Sequence, residues 1–298
     1  MLACRGGEPD PFLRFTLSWL RDNVPDYEGP AVLVQGDTGP GNFMYDSGRV
    51  VAVVDWELAH LGDPMDDIAW LSLRSVQEPF THLPDRLAEY EKLSGHRVDP
   101  DRVRYHRVKA EAKLQVMWHH PPRPTGSADQ DSGGGDIGNG LIYRMLHQRL
   151  WIEAMAEMLG LELTAAEEPP EPSGDSRDNE WLFDAVLAQL RTVIVPRISD
   201  PLALQRTKGV ARALKYLAAQ NRHGAFYAGC ELDDLAGLLG TRPPSLAAGR
   251  DAIARAVRAG QVTDLEYVRY LWRRFARDNE LLRPASGVLA DRHWPPLQ

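Results

Sequence analysis

The sequence predicts a mainly helical α+β chain: a short β-hairpin set among helices, followed by a second region that is helical throughout. Three observations carry this reading. Residues 43–53 place two apolar runs on either side of Asp46-Ser47-Gly48-Arg49, as a tight hairpin does. The flanking segments repeat apolar residues at helical spacing. Beyond about residue 180 every apolar pattern is helical and none has strand character.

The first helix is expected over residues 10–23, where Asp10-Pro11 supplies a cap and a favoured first residue. Phe12, Leu13, Phe15, Leu17, Trp19 and Leu20 give it a broad apolar face. Residues 31–34, AVLV, read as a buried strand ending near Gly36. If Ser47 and Gly48 make the hairpin turn, Asp46 pairs with Arg49, Tyr45 with Val50, Phe43 with Ala52 and Asn42 with Val53. A helix then restarts after Gly62, with Asp63 as its cap and Pro64 first. Further helices are expected over residues 84–95, 100–118 and 141–159, with a Pro-, Gly- and Asp-rich loop at 119–140. Trp56 and Trp70 read as core residues.

Residues 1–163 are therefore read as one domain, 164–179 as a Pro-, Glu- and Ser-rich linker, and 180–298 as a small helical domain. Within the last, helical periods cover 181–195, 201–221, 231–239, 246–259 and 263–278.

Composition narrows the function. Of 298 residues, 43% are hydrophobic and 26% charged, as in a folded protein with a real core. The 34 Lys and Arg against 42 Asp and Glu give a net charge of −8, which disfavours a broad grip on nucleic acid. Cys4 and Cys230 form no disulfide or thiolate-metal pattern, and no long apolar run or signal-peptide block occurs. The expectation is a cytoplasmic protein with no membrane or nucleic-acid partner and a small-molecule ligand.

The stretch LVQGDTGPGNFMYDSGRVVAVVDWE, residues 33–57, carries the chemistry. The hairpin brings Asn42 and Asp55 to its open end, and glycines at 36 and 41 let the loop holding Asp37 turn back toward them. Three oxygen-bearing side chains then converge. Such hard donors suit Mg²⁺, which commonly takes one or two carboxylates together with substrate phosphates. Asp37 and Asn42 also have the D-x-x-x-x-N spacing of kinase catalytic loops.

Residues 32–71, VLVQGDTGPGNFMYDSGRVVAVVDWELAHLGDPMDDIAWL, resemble the core of the aminoglycoside phosphotransferase family: H-G-D-x-x-x-x-N, then I-D-W-E, then G-D-P-x-x-D-L-A. The resemblance implies the C-terminal lobe of a protein-kinase-like fold and an ATP- and Mg²⁺-dependent transfer of the γ-phosphoryl group to a small-molecule hydroxyl. It assigns Asp37 as the catalytic residue and Asn42 and Asp55 as metal and cofactor ligands. Gln35, Asp63 and Asp67 give structural support, Asp67 by bracing the catalytic loop. The acceptor reads equally as aminoglycoside-like or hydroxyacyl-CoA-like.

Two departures from the family stand out. Gln35 replaces the usual His, and its amide can still donate one hydrogen bond. Only 31 residues precede the signature, where the family has a nucleotide-grasping lobe. The chain is accordingly expected to be incomplete as an enzyme, served by a separate N-terminal lobe or a second copy of itself, or else to be a non-catalytic scaffold derived from such a lobe. The helical domain is similar to an uncharacterised domain found beside phosphotransferase-like and acyl-CoA dehydrogenase genes, which implies dimerisation, docking or shielding.

Other signals have plainer explanations. GGGDIG at 133–138 satisfies G-x-G-x-x-G but follows no strand. His119 and His120 are adjacent and cannot share a helix face. Arg206, Lys208, Arg212, Lys215 and Arg222 read as a solvated helix face.

Overall fold

The structure, a computed structural model, describes residues 11–118, 137–171 and 178–298. The chain forms two compact units. One, the hairpin unit, comprises Leu13–Val116, Glu153–Glu162 and Asp291–Gln298; the other, the helical unit, comprises Leu163–Ala290 together with Met1–Phe12 and Met117–Ile152. His119, His120 and residues 133–136 of the glycine-rich string lie outside the described residues. Among the described residues no helix is long and apolar enough to cross a membrane.

In the hairpin unit, α1 spans Pro11–Asp22, and its Leu20 carbonyl accepts a 2.8 Å hydrogen bond from Tyr105. Strand β1, Val32–Val34, pairs antiparallel with β4, His60–Gly62. Sequence reading had no place for β4, whose three residues are too few to display a period of two. Strands β2, Phe43–Asp46, and β3, Arg49–Val53, form the hairpin. Ser47 and Gly48 at its turn have φ of 51° and 78°, the left-handed pair that matches strand twist in a two-residue hairpin.

The register corrects the expected pairing. Asp46 faces Arg49 and Tyr45 faces Val50, but a bulge between Met44 and Tyr45 then sets Met44 against Ala52 and Phe43 against Val53. The extra residue on β3 moves every later partner by one. Asn42 thus lies one step beyond the ladder, joined instead by the Val54 N–H, which donates to its carbonyl at 2.9 Å.

The helices α2 (Met65–Gln77), α3 (Leu83–Ser94) and α4 (Pro100–Trp118) follow. Met65, Ile68, Ala69, Leu83, Leu87 and Val103 bury a shared core. Trp70 is buried, whereas Trp56 is 45% exposed with its indole N–H donating to the Val53 carbonyl, which corrects its expected core position. The next helix, α5, spans Ile137–Leu159, beginning before residue 141 where the apolar period does; its residues through Ile152 belong to the helical unit and the rest to the hairpin unit.

The helical unit contains α6 (Glu180–Gln189), a π turn (Leu190–Ile194) and a 3₁₀ turn (Val195–Arg197). Helices α7 (Pro201–Leu239), α8 (Leu246–Arg258) and α9 (Asp264–Ser286) follow. The separate periods at 201–221 and 231–239 are one 39-residue helix, despite Gly224 and Gly229 between them. Burial of Tyr227, Glu231 and Leu235 outweighs the helix-weakening of two glycines. Asp200 caps α7 by accepting from the Ala203 N–H, and Thr263 and Glu266 form a reciprocal capping box on α9. The irregular segment before α6 is held by α9: Trp272 donates to the Thr164 carbonyl at 2.6 Å and Arg277 to Glu167 at 2.7 Å.

Candidate active site

The loop after β1 is fixed by two side chains before any site residue is reached. Asp67, in the first turn of α2, accepts from the Gln35 N–H at 3.0 Å, the Gly36 N–H at 2.9 Å and the Thr38 hydroxyl at 2.6 Å. Gly36 has φ of 86°, and a Cβ there would sit 2.5 Å from the Leu58 carbonyl oxygen, so only glycine lets the chain turn at this point.

The second clasp is Gln35, which is buried. Its amide nitrogen donates to the carbonyls of Val54 at 3.1 Å and Asp55 at 2.7 Å, while its oxygen accepts from the Asp37 N–H at 2.8 Å. Its amide donates two hydrogen bonds where one was expected, and accepts a third. Through this one side chain the loop carrying Asp37 is tied to the chain carrying Asp55.

Asn42 closes the other side. Its amide donates to the Asp37 carbonyl at 2.9 Å and to the Asp37 carboxylate at 3.2 Å, which leaves the amide oxygen as an acceptor. Asp55 lies just beyond β3 in the left-handed region, φ 64°, an uncommon conformation that Asp tolerates better than most residues. The Glu57 carboxyl is held above the usual carboxylate range by its hydrogen bond to Asp55, then by the Asp55 charge, with a smaller push from the Asp37 charge. The negative charges of 37, 55 and 57 therefore share one field at the open end of the hairpin.

Sequence reading missed Arg74. It forms an ion pair with the Asp37 carboxylate and donates to Gln77 at 3.0 Å. Arg74 lies about two turns along α2 from Asp67, on the same helix face, so the helical period held the clue. Together with Gly39, Pro40, Asn42, Gln77 and Glu78 it lines a cavity of about 180 Å³ beside the Asp37 loop.

Asp63 and Asp66 work beneath the site. Asp63 accepts from the Met65 N–H at 2.8 Å and from Arg102 Nε at 2.7 Å, with His106 at 3.4 Å. Burial raises its pKa, but the hydrogen bonds of His106, Arg102 and Met65 prevail and hold it well below the ordinary carboxylate range. Pro64 is the residue preceding the first turn of α2, yet the Asp63 side chain is what satisfies the free N–H. Asp66 is wholly buried, paired with Lys109 at 2.7 Å and His60 at 3.0 Å. Adjacent carboxylates thus serve different partners, Asp67 the loop after β1 and Asp66 both α4 and β4.

This arrangement lies within a segment whose relatives are known. Residues 2–106 match the phosphotransferase enzyme family. That match points to kinase-like phosphoryl transfer and covers Gln35, Asp37, Asn42, Asp55, Asp63 and Asp67.

Shorter stretches are similar to curated proteins. "Acyl-CoA dehydrogenase family member 11" of Rattus norvegicus is 43% identical over 58 residues, 19% of this chain and 7% of the relative. The Homo sapiens protein of that name is 37% identical over 65 residues, 21% of this chain and 8% of the relative. "Probable acyl-CoA dehydrogenase IBR3" of Arabidopsis thaliana is 31% identical over 74 residues, 23% of this chain and 9% of the relative. The chain thus spans less than a tenth of the length of these relatives. No solved structure matches the chain significantly.

Phosphotransferases of this family generally use ATP and Mg²⁺, and the donor set fits that ion. Among the described residues no three His, Cys, Asp or Glu side chains gather as a metal cluster. Mg²⁺ does not need such a cage, because it keeps waters and takes substrate phosphates beside one or two carboxylates. The amide oxygen of Asn42 and the carboxylate of Asp55 are hard donors of the right kind.

Proposed function

We propose that this chain carries the catalytic lobe of an ATP- and Mg²⁺-dependent phosphotransferase acting on the hydroxyl of a small molecule, aminoglycoside-like or hydroxyacyl-CoA-like. The observation that supports this most directly is the Gln35 clasp, which ties the Asp37 loop to the Asp55 backbone beside Asn42.

In this reading Asp37 orients the acceptor and takes its proton. The acceptor oxygen bonds to the γ-phosphorus as the bond from that phosphorus to the β–γ bridging oxygen breaks, and ADP leaves. Asn42 and Asp55 would hold Mg²⁺, which offsets charge on the phosphate oxygens. Arg74, ion-paired with Asp37, keeps that carboxylate from rotating away from the acceptor. Positioning and electrostatics are the whole contribution expected of a protein in phosphoryl transfer.

Calorimetric titration of the purified chain with ATP, with and without Mg²⁺, tests the reading. Mg²⁺-dependent binding that disappears in Asp55→Ala supports it, and Asp37→Asn should retain that binding. Absence of any Asp55-dependent nucleotide binding leaves a non-catalytic scaffold as the better account.

A further inference from the structure

The helical unit holds a cavity of about 440 Å³ between α6, α7 and α9, within the size range of about 300–1,000 Å³ usual for small-molecule sites. Its α6 wall is Glu180, Phe183, Asp184 and Leu187, spaced as one helix face. The α7 wall is Lys215, Ala218, Ala219, Arg222 and His223, again one face. Faces with this period ordinarily close on each other. Here the two alanines present only methyl groups, and α6 has no buried residue at all. The space between the helices stays open, floored by the buried Tyr227.

Its charges are matched except for one of each sign. Glu180 accepts from Arg222 at 2.5 Å, and Glu280 accepts from Arg283 at 2.7 Å. Asp184 and Lys215, both exposed at the cavity mouth, take part in no ion pair among the described residues. His223 adds an enclosed polar atom: its Nδ1 is closed off from solvent without a hydrogen-bond partner. Burial, then the Arg222 charge, lowers its pKa, so the ring is neutral at pH 7 and can donate or accept. From Lys215 to His223 the α7 wall runs about 12 Å, room for an amino acid with an aromatic side chain.

We propose that this cavity binds a zwitterionic small molecule with an apolar body. Its carboxylate meets Lys215, its ammonium meets Asp184, and its apolar part lies against Phe183, Leu187 and the paired alanines. The inference rests on the helical unit alone and is independent of phosphoryl transfer.

Calorimetry on the full chain at pH 7 with L-phenylalanine, 3-phenylpropanoate and phenethylamine tests it. L-phenylalanine should bind at one site per chain, and the singly charged compounds about three- to fivefold more weakly, the size of one exposed charge contact. Lys215→Glu should weaken L-phenylalanine about tenfold by turning attraction into repulsion, and the exchange Asp184→Lys with Lys215→Glu should recover binding relative to that single change. Ala219→Trp should abolish binding by filling the space. Because Ala219→Trp could disturb the helices, the surface change Lys215→Glu serves as the decisive variant, with circular dichroism confirming its fold. The proposal is overturned if L-phenylalanine shows no saturable binding, if the three compounds bind alike, or if Lys215→Glu leaves affinity unchanged.

Discussion

At the scale of single residues, the site depends on groups that never meet a substrate. Gln35 satisfies two carbonyls and one N–H from its buried position. Gln35→Ala strands all three, and stranded buried groups cost about 1–3 kcal/mol, so urea denaturation should show a loss near the top of that range. Gln35→His, with fewer ring nitrogens facing these partners, should fall between. Asp67 does the same work from α2 with three accepted bonds. Asp67→Ala should speed amide hydrogen exchange at Gln35 and Gly36 while exchange at Val103 and Val108, in the core of α4, stays slow. Unchanged exchange rates at 35 and 36 would show that Asp67 does not brace the loop.

At the scale of elements, legibility followed distance along the chain. The hairpin turn was readable because Ser47-Gly48 encodes its own backbone conformation, and Asp37, Asn42 and Asp55 lie within one such local unit. The bulge at Met44/Tyr45, strand β4 and the unbroken α7 were not readable, since each is decided by a partner elsewhere: the opposing strand, β1, and the burial of Tyr227, Glu231 and Leu235. Arg74 escaped for a related reason, because its partner is 37 residues away. Asp63, a cap by sequence, gained from the fold an ion pair with Arg102 and a contact with His106. Its depressed pKa fixes a sign. The stabilisation is complete above the unfolded carboxyl value of about 3.9 and is lost as pH falls from there toward the lower folded value. Asp63→Asn should cost about 3 kcal/mol at pH 7 and flatten the acid limb of a stability–pH curve below about pH 4. An acid limb as steep as the parent's would place that dependence on other carboxylates.

At the scale of the molecule, each unit carries its own core and its own buried charges, so each should answer separately to damage. In the helical unit Glu231 is buried and receives Arg250 at 2.7 and 2.6 Å and the Tyr270 hydroxyl at 2.8 Å, joining α7, α8 and α9 through one carboxylate. Burial raises the pKa of Glu231, but the hydrogen bond and charge of Arg250, with the Tyr270 hydroxyl, prevail and lower it. Its stabilisation is therefore full above about pH 4.3 and fades as pH drops below. Glu231→Ala leaves Arg250 and Tyr270 facing a void, and breaking a buried pair from one side costs about 3–5 kcal/mol. Hydrogen exchange followed by mass spectrometry should then show protection lost across α7, α8 and α9. The Met65, Leu83 and Val103 core of the hairpin unit should keep its slow exchange, because none of the Glu231 partners belongs to it. Equal loss in both would mean that the two cores fold as one cooperative body, and that damage to the helical unit reaches the loop holding Asp37.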